Sequence, residues 1–266
     1  MAASTKIDDI TKIDDILKIL DEINVENAST VYAPSLKKAI KIKPFSGKHQ
    51  TAIVNAYSVS PIFINEFNIV FNSILKEIIV DSIDVDALTI IDKNCIAIQL
   101  KVLNGSDKIV IDDEIFSVKE LIDSYQNIYI PEDTTITFEP YEVTLTIPTC
   151  KTENLFDRRL NAKIKTLSLN DEAAHRALFG EIMSSNILQH ISRIKINDRE
   201  IDFSPLSADD RIKIGQKLPS LLIEKLIQTI DEHFGIIMEK TNHLLIEERE
   251  IPINIGPKLF FDNQEK

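Results

Sequence analysis

The sequence predicts an α+β fold, with an N-terminal helical bundle, a central antiparallel β section and C-terminal helices. Three observations predict it. Apolar residues recur at helical spacing towards both ends of the chain, as in Phe67, Val70, Phe71, Ile74 and Ile78. Between Pro131 and Pro148 the pattern turns to β-branched and aromatic residues bounded by prolines. The 266 residues are 44% hydrophobic and 27% charged, a balance that buries a core without disulfide or metal staples.

Element order divides the chain into five parts. Residues 1–30 form an amphipathic N-terminal helix and linker, and 31–106 a strand plus the helical bundle. Residues 107–169 are mainly β, 170–250 are helical with one hairpin, and 251–266 are a tail.

The first part opens on a tandem repeat, Thr5-Lys6-Ile7-Asp8-Asp9-Ile10 and then Thr11-Lys12-Ile13-Asp14-Asp15-Ile16. Thr5 and Asp8 have capping-box spacing. Ile13, Ile16, Leu17, Leu20 and Ile23 fall on one helical face, opposite an acidic side. Such a face either packs on its own core or docks a partner. Because the helix is terminal and residues 24–30 read as a linker, these five residues are the candidate partner-binding set.

Ile40 and Ile42 alternate with Lys41 and Lys43 in a strand ended by Pro44. Together with Lys37 and Lys38 the lysines read as a solvated strand face. Ser46 caps a helix to about Tyr57, and Ser60-Pro61 starts the next, whose stripe begins at Phe63. Asp84 or Asp86 caps a further helix to Leu103, and Asn104-Gly105 stops it.

In the middle part, 108–111 is a strand and 116–125 a short helix. Residues 127–130, 134–138 and 142–147 are strands, and 160–169 adds another. A helix follows from Asp171 to about Met183. Ile194, Ile196, the Asn197-Asp198 turn, Ile201 and Phe203 make a hairpin. Ser207 and Asp210 cap a helix that stops near Gly215. Pro219 starts a long helix carrying Leu222, Leu226, Ile230 and Phe234. From Ile251 the chain reads as a polar, proline-broken, mobile tail.

The 30 basic and 42 acidic residues leave a net charge of −12. That field repels phosphate backbones and anionic bilayers, so neither nucleic acid nor membrane is an expected partner. The first residues lack an apolar signal core, and no apolar run reaches the ~20 residues of a membrane span. A cytoplasmic protein is expected. The 2 cysteines, Cys95 and Cys150, sit outside any CxxC and read as free, packed thiols, with a single disulfide as the other option.

Catalytic motifs are missing from the sequence. Its 6 glycines are dispersed, whereas a phosphate cradle needs them clustered. Gly47-Lys48 has Ile42 where a P-loop needs its first glycine and His49 where it needs Ser or Thr. Glu172-x-x-His175 has di-iron spacing but lacks a second copy. Asp84-x-Asp86 lacks the glycine and terminal glutamate of a calcium loop. No catalytic, cofactor-binding or metal-binding residue is assigned, and no cofactor is expected.

One segment carries a resemblance. Pro34-Ser35-Leu36-Lys37-Lys38-Ala39-Ile40-Lys41-Ile42-Lys43-Pro44-Phe45, with Lys48 close behind, resembles the opening of the baseplate hub assembly proteins of T-even-like contractile-tailed bacteriophages. Ile83-Asp84-Val85-Asp86-Ala87-Leu88-Thr89-Ile90-Ile91-Asp92 is similar to that family's second, helix-introducing signature. The likeness spans 34–105 and is fainter over 207–231, at Asp210-Arg211 and Leu218-Pro219. It departs at Lys37, where the pattern has glycine, at His49, where it has glutamate, and at Asn104-Gly105, where the helix usually ends differently.

The resemblance implies a non-enzymatic structural protein or assembly chaperone of the baseplate hub. Its partners would be other hub and tape-measure proteins, or a second copy of itself. It would act in the host cytoplasm during assembly, with the virion tail as its other location. The rival readings are a small metal-dependent hydrolase built around Glu172 and His175, and an acidic regulator that mimics nucleic acid.

Overall fold

The computed structural model describes residues 13–59, 65–105, 107–111, 114–166, 172–246, 249–256 and 258–261. Helix (57%) and strand (21%) are both substantial, so the fold mixes the two.

Helix α1 (Ile13–Glu26) leads into a hairpin of β1 (Ser29–Ala33) and β2 (Lys38–Ile42). Its alternation buries Val31, Ala33, Ile40 and Ile42 and leaves Lys38 and Lys41 in solvent. Three helices follow: α2 (Gly47–Val59), α3 (Asn65–Ile78) and α4 (Ile90–Leu103). Helix α3 buries Phe67, Phe71, Ile74 and Ile78, as its spacing predicts.

Every residue of α4 from Ile91 to Lys101 is buried. A helix that is enclosed all round lies at the centre of its fold. The hairpin, α6, α10 and α11 pack around α4. Next come β3 (Lys108–Ile111), β4 (Glu114–Ser117) and α5 (Lys119–Ser124). Strands β5 (Thr134–Phe138) and β6 (Tyr141–Leu145) then open a four-stranded antiparallel sheet of order β5-β6-β7-β8.

Two long helices, α6 (Cys150–Thr166) and α7 (Glu172–Leu188), intervene before β7 (Ile191–Ile196) and β8 (Arg199–Asp202) complete the sheet. The sheet therefore joins the middle part to the C-terminal part. Last are α8 (Ala208–Gly215), α9 (Ser220–Ile230), a π-helical segment (Asp231–Gly235), α10 (Ile236–Asn242), a hairpin of β9 (His243–Ile246) and β10 (Arg249–Pro252), and α11 (Lys258–Phe261).

Several expectations are corrected. The strand expected over 160–169 is helix to Thr166, part of α6. Its inward face carries Asp157 and Asn161 beside Phe156 and Leu160, and those polar residues hide the apolar period. Residues 127–130 form no strand, because a 3₁₀ turn, Tyr125–Asn127, extends α5. Asp84 caps only a 3₁₀ turn, Val85–Ala87. The cap of α4 is Thr89, in a reciprocal box with Asp92. The linker expected over 24–30 shrinks to Asn27 and Ala28.

The C-terminal stretch is not a loose tail over its described residues, 251–256 and 258–261, either. Ile253, Ile255 and Leu259 are buried, and Phe260 packs on Phe45, Phe67 and Phe71. Apolar residues spaced two to four apart between polar ones gave no period to read. The capping box at Thr5 and the helix start at Ser60-Pro61 lie outside the described residues.

Candidate functional site

Two regions stand out once the fold is assembled: an exposed apolar helix and a buried polar seam. On α1, Ile13, Ile16, Leu17, Leu20 and Ile23 are all exposed, from 42% at Ile16 to 76% at Ile13. Ile19 and Val25 are exposed as well. No α1 side chain joins the hydrophobic core among the described residues. An unpartnered stripe of this kind marks an interaction surface more often than a stable monomer surface.

The edge of the sheet is a weaker docking candidate. β5 is an edge strand, but the Lys225 ammonium donates to the Thr137 carbonyl at 3.0 Å. His233 Nε2 also lies 3.2 Å from the Glu132 carbonyl. Side chains from α9 and the π-helical segment thus occupy part of the edge.

The seam runs between α3 and α6 and ends on α4. Asn65, Asn68 and Asn72 share one face of α3, and Glu153, Asp157 and Asn161 share one face of α6. Asn65 Nδ2 donates to Asp157, and Asn161 Nδ2 donates to Glu66. Lys93, 2% exposed on α4, donates to both oxygens of Glu153 and to Asn68 Oδ1 at 3.2 Å. Asn72 Nδ2 lies 3.4 Å from Glu153 Oε2. A buried ion pair tolerates the interior only with such further hydrogen bonds.

Two acceptors in the seam, Asp157 Oδ2 and Asn72 Oδ1, are buried with no hydrogen-bond partner within 3.5 Å among the described residues. Burial, reinforced by the neighbouring Glu153 charge, pushes the Asp157 carboxyl up to about 7. The Asn65 hydrogen bond and Lys93 oppose that rise. Beside the seam lies a cavity of about 260 Å³ lined by Asn68, Lys93, Asn94, Glu153 and Asn254 among others. Lys93 and Glu153 face it already bound to each other, and Asp157 does not line it.

The other sequence candidates separate. Glu172 and His175 sit in the first turn of α7, and their side chains lie outside the described residues. Among the described residues, no group of three or more His, Cys, Asp or Glu is placed to hold a metal ion. The Asp84 carboxylate caps its turn, and Asp86 pairs with Lys76 at 2.7 Å. Cys95 and Cys150 are free and buried. Burial pushes the Cys150 thiol up to about 12 and the Cys95 thiol well above its usual range, so neither is a ready thiolate.

No family model, no curated protein and no solved structure matches this chain.

The seam was not anticipated from sequence. Its signal was present as polar residues at helical spacing, Asn65-Asn68-Asn72 and Glu153-Asp157-Asn161. Polar positions at that spacing ordinarily mark a solvated face, so the pattern points away from the core it occupies.

Proposed function

We propose that this protein is non-enzymatic and works by docking to other proteins, as a structural component or assembly chaperone of a contractile-tail baseplate hub. The observation that carries the docking reading is the exposed apolar face of α1, which the described residues leave uncovered. Hub and tape-measure proteins are the partners, with a second copy of the chain as the further option.

The hub assignment rests on the resemblance over 34–105. One structural detail supports it. Lys37 takes φ 51°, a left-handed conformation that favours glycine, at the position where the family pattern has glycine. The basic strand β2, Pro44-Phe45 and α2 also follow in the order that pattern implies.

Co-purification of tagged protein from infected cells tests the proposal. Recovery with hub or tape-measure proteins is expected, lost on replacing Leu17 and Leu20 with glutamate while the circular dichroism stays unchanged. Recovery as a lone monomer, or stoichiometric zinc or iron in the purified protein, would overturn it.

A further inference from the structure

Arg211, on α8, is a buried cation without an ion-pair partner within 4.0 Å among the described residues, and Asp202 acts on its charge only from further away. Its side chain is 4% exposed. Its only polar contact among the described residues is a 2.7 Å hydrogen bond from Nη2 to the Phe203 carbonyl. Nε is buried without an acceptor among the described residues. The Phe156 and Phe203 rings flank the guanidinium, with centroids 6.0 and 5.7 Å away. Rings supply some cation–π attraction, but a desolvated guanidinium ordinarily also finds a carboxylate or phosphate.

The neighbouring arginine shows what the fold does when it neutralises such a charge. Arg159 on α6 reaches Glu181 and Asp209, each at 2.5 Å. Arg211 forms no ion pair within 4.0 Å among the described residues. The carboxylate that acts on it most, Asp202, already accepts from the Ser204 N–H at 2.8 Å and from its hydroxyl.

Arg211 lines a cavity of about 620 Å³ between the start of α6, the start of β7 and the β8–α8 loop. That volume is in the range of small-molecule sites. Two further cations, Lys151 and Arg158, stand exposed at its rim. Thr149, Thr152 and Ser207 line the cavity at the N-terminal ends of α6 and α8, with the Thr149 and Thr152 hydroxyls 3.2 Å apart and Ser207 bonded to Asp210. The Asp202 carboxylate is also part of the lining, held by Ser204. Leu155, Ile191 and Leu206 add apolar wall.

We propose that this cavity binds a small organic anion, with its carboxylate or phosphate group against Arg211, its charge shared with Lys151 and Arg158, and its apolar body on Leu155, Ile191 and Leu206. The site lies apart from α1 and stands independently of the docking proposal.

The test is isothermal titration calorimetry on the full chain with phenyl phosphate, benzoate and uncharged benzyl alcohol. Saturable binding of either anion, absent for benzyl alcohol, is expected. Binding of one anion alone assigns phosphate or carboxylate as the group recognised. Arg211→Gln should weaken binding roughly tenfold or more, the scale of one charge-assisted hydrogen bond. Because Arg211→Gln perturbs a buried position, the exposed pair Lys151→Gln and Arg158→Gln provides a second arm. That double variant should fold normally and bind several-fold more weakly. Absence of binding by both anions would refute the site. So would equal affinity in a folded Arg211→Gln protein, or in the rim variant.

Discussion

Gln99 binds Tyr32 twice, as a neighbouring strand would. Its Oε1 accepts the Tyr32 N–H at 2.7 Å, and its Nε2 donates to the Tyr32 carbonyl at 2.9 Å. The same amide also donates to the Cys95 carbonyl one turn earlier in α4. One side chain on the central helix thereby closes the open edge of β1, whose other edge pairs with β2. Replacement with leucine keeps the volume but orphans both backbone groups. Each orphan costs about 1–3 kcal/mol, so Gln99→Leu should lower the urea midpoint strongly. Gln99→Glu keeps an acceptor, loses the donor and buries a charge, and should be no better. An unchanged midpoint in Gln99→Leu would mean that water replaces both bonds.

Lys37 forms the turn of the same hairpin with φ 51°. A side chain there costs on the order of 1 kcal/mol that glycine avoids. Lys37→Gly should therefore stabilise the protein by about that amount in chemical denaturation. The Lys37 side chain is exposed, so removing it sacrifices little packing. A destabilised variant would show that the unfolded chain's added freedom outweighs the relief.

The Lys93–Glu153 pair joins α4 to α6 inside the protein. Removing one member strands the other charge, so Lys93→Met and Glu153→Gln should each cost roughly 3–5 kcal/mol. Removing both charges together should cost much less than the two losses added. A double-mutant cycle measures this directly, and additive single effects would show that the pair is not coupled.

These polar contacts mark where the sequence stopped being legible. The hairpin Ile194 to Phe203, the α3 stripe and the Ser207 cap were readable because each rests on local period or turn chemistry. Asn197, in its turn, takes φ 53°, which asparagine tolerates. The end of helix α6, from Leu160, reads as strand in the sequence because Asp157 and Asn161 interrupt its inward face, and only α3 explains why they can lie there. The α1 face was legible as amphipathic, but its exposure could be learned only by seeing what the rest of the chain buries. The burial of Arg211 gave no sequence signal, since a lone arginine in an acidic helix start looks like surface.

Asp157 and His190 should tilt stability in opposite directions over the same pH range. Burial holds Asp157 up to about 7, whereas an unfolded aspartate titrates near 3.8. Between those values the folded chain keeps a proton that the unfolded chain has released. Stability from this group therefore falls as pH rises from about 4 to about 7. His190 behaves conversely. Buried beside Phe234, with Nδ1 3.0 Å from the Thr146 carbonyl, it is held neutral down to about 4, against an ordinary value of 6.5. From 6.5 down to about 4 the unfolded chain takes up a proton that the folded chain refuses, so this group's contribution falls as pH falls. Each slope is at most about 1.4 kcal/mol per pH unit, and in the parent protein they largely cancel. Asp157→Asn preserves an acceptor for Asn65 and removes the charge. Its stability should climb from pH 4 to 6.5 and exceed the parent's above pH 7. His190→Asn keeps a donor for Thr146 and should lose stability steadily from pH 4 to 7. Urea titrations at several pH values measure both slopes. Two variants with the parent's flat profile would show that neither group titrates in this window.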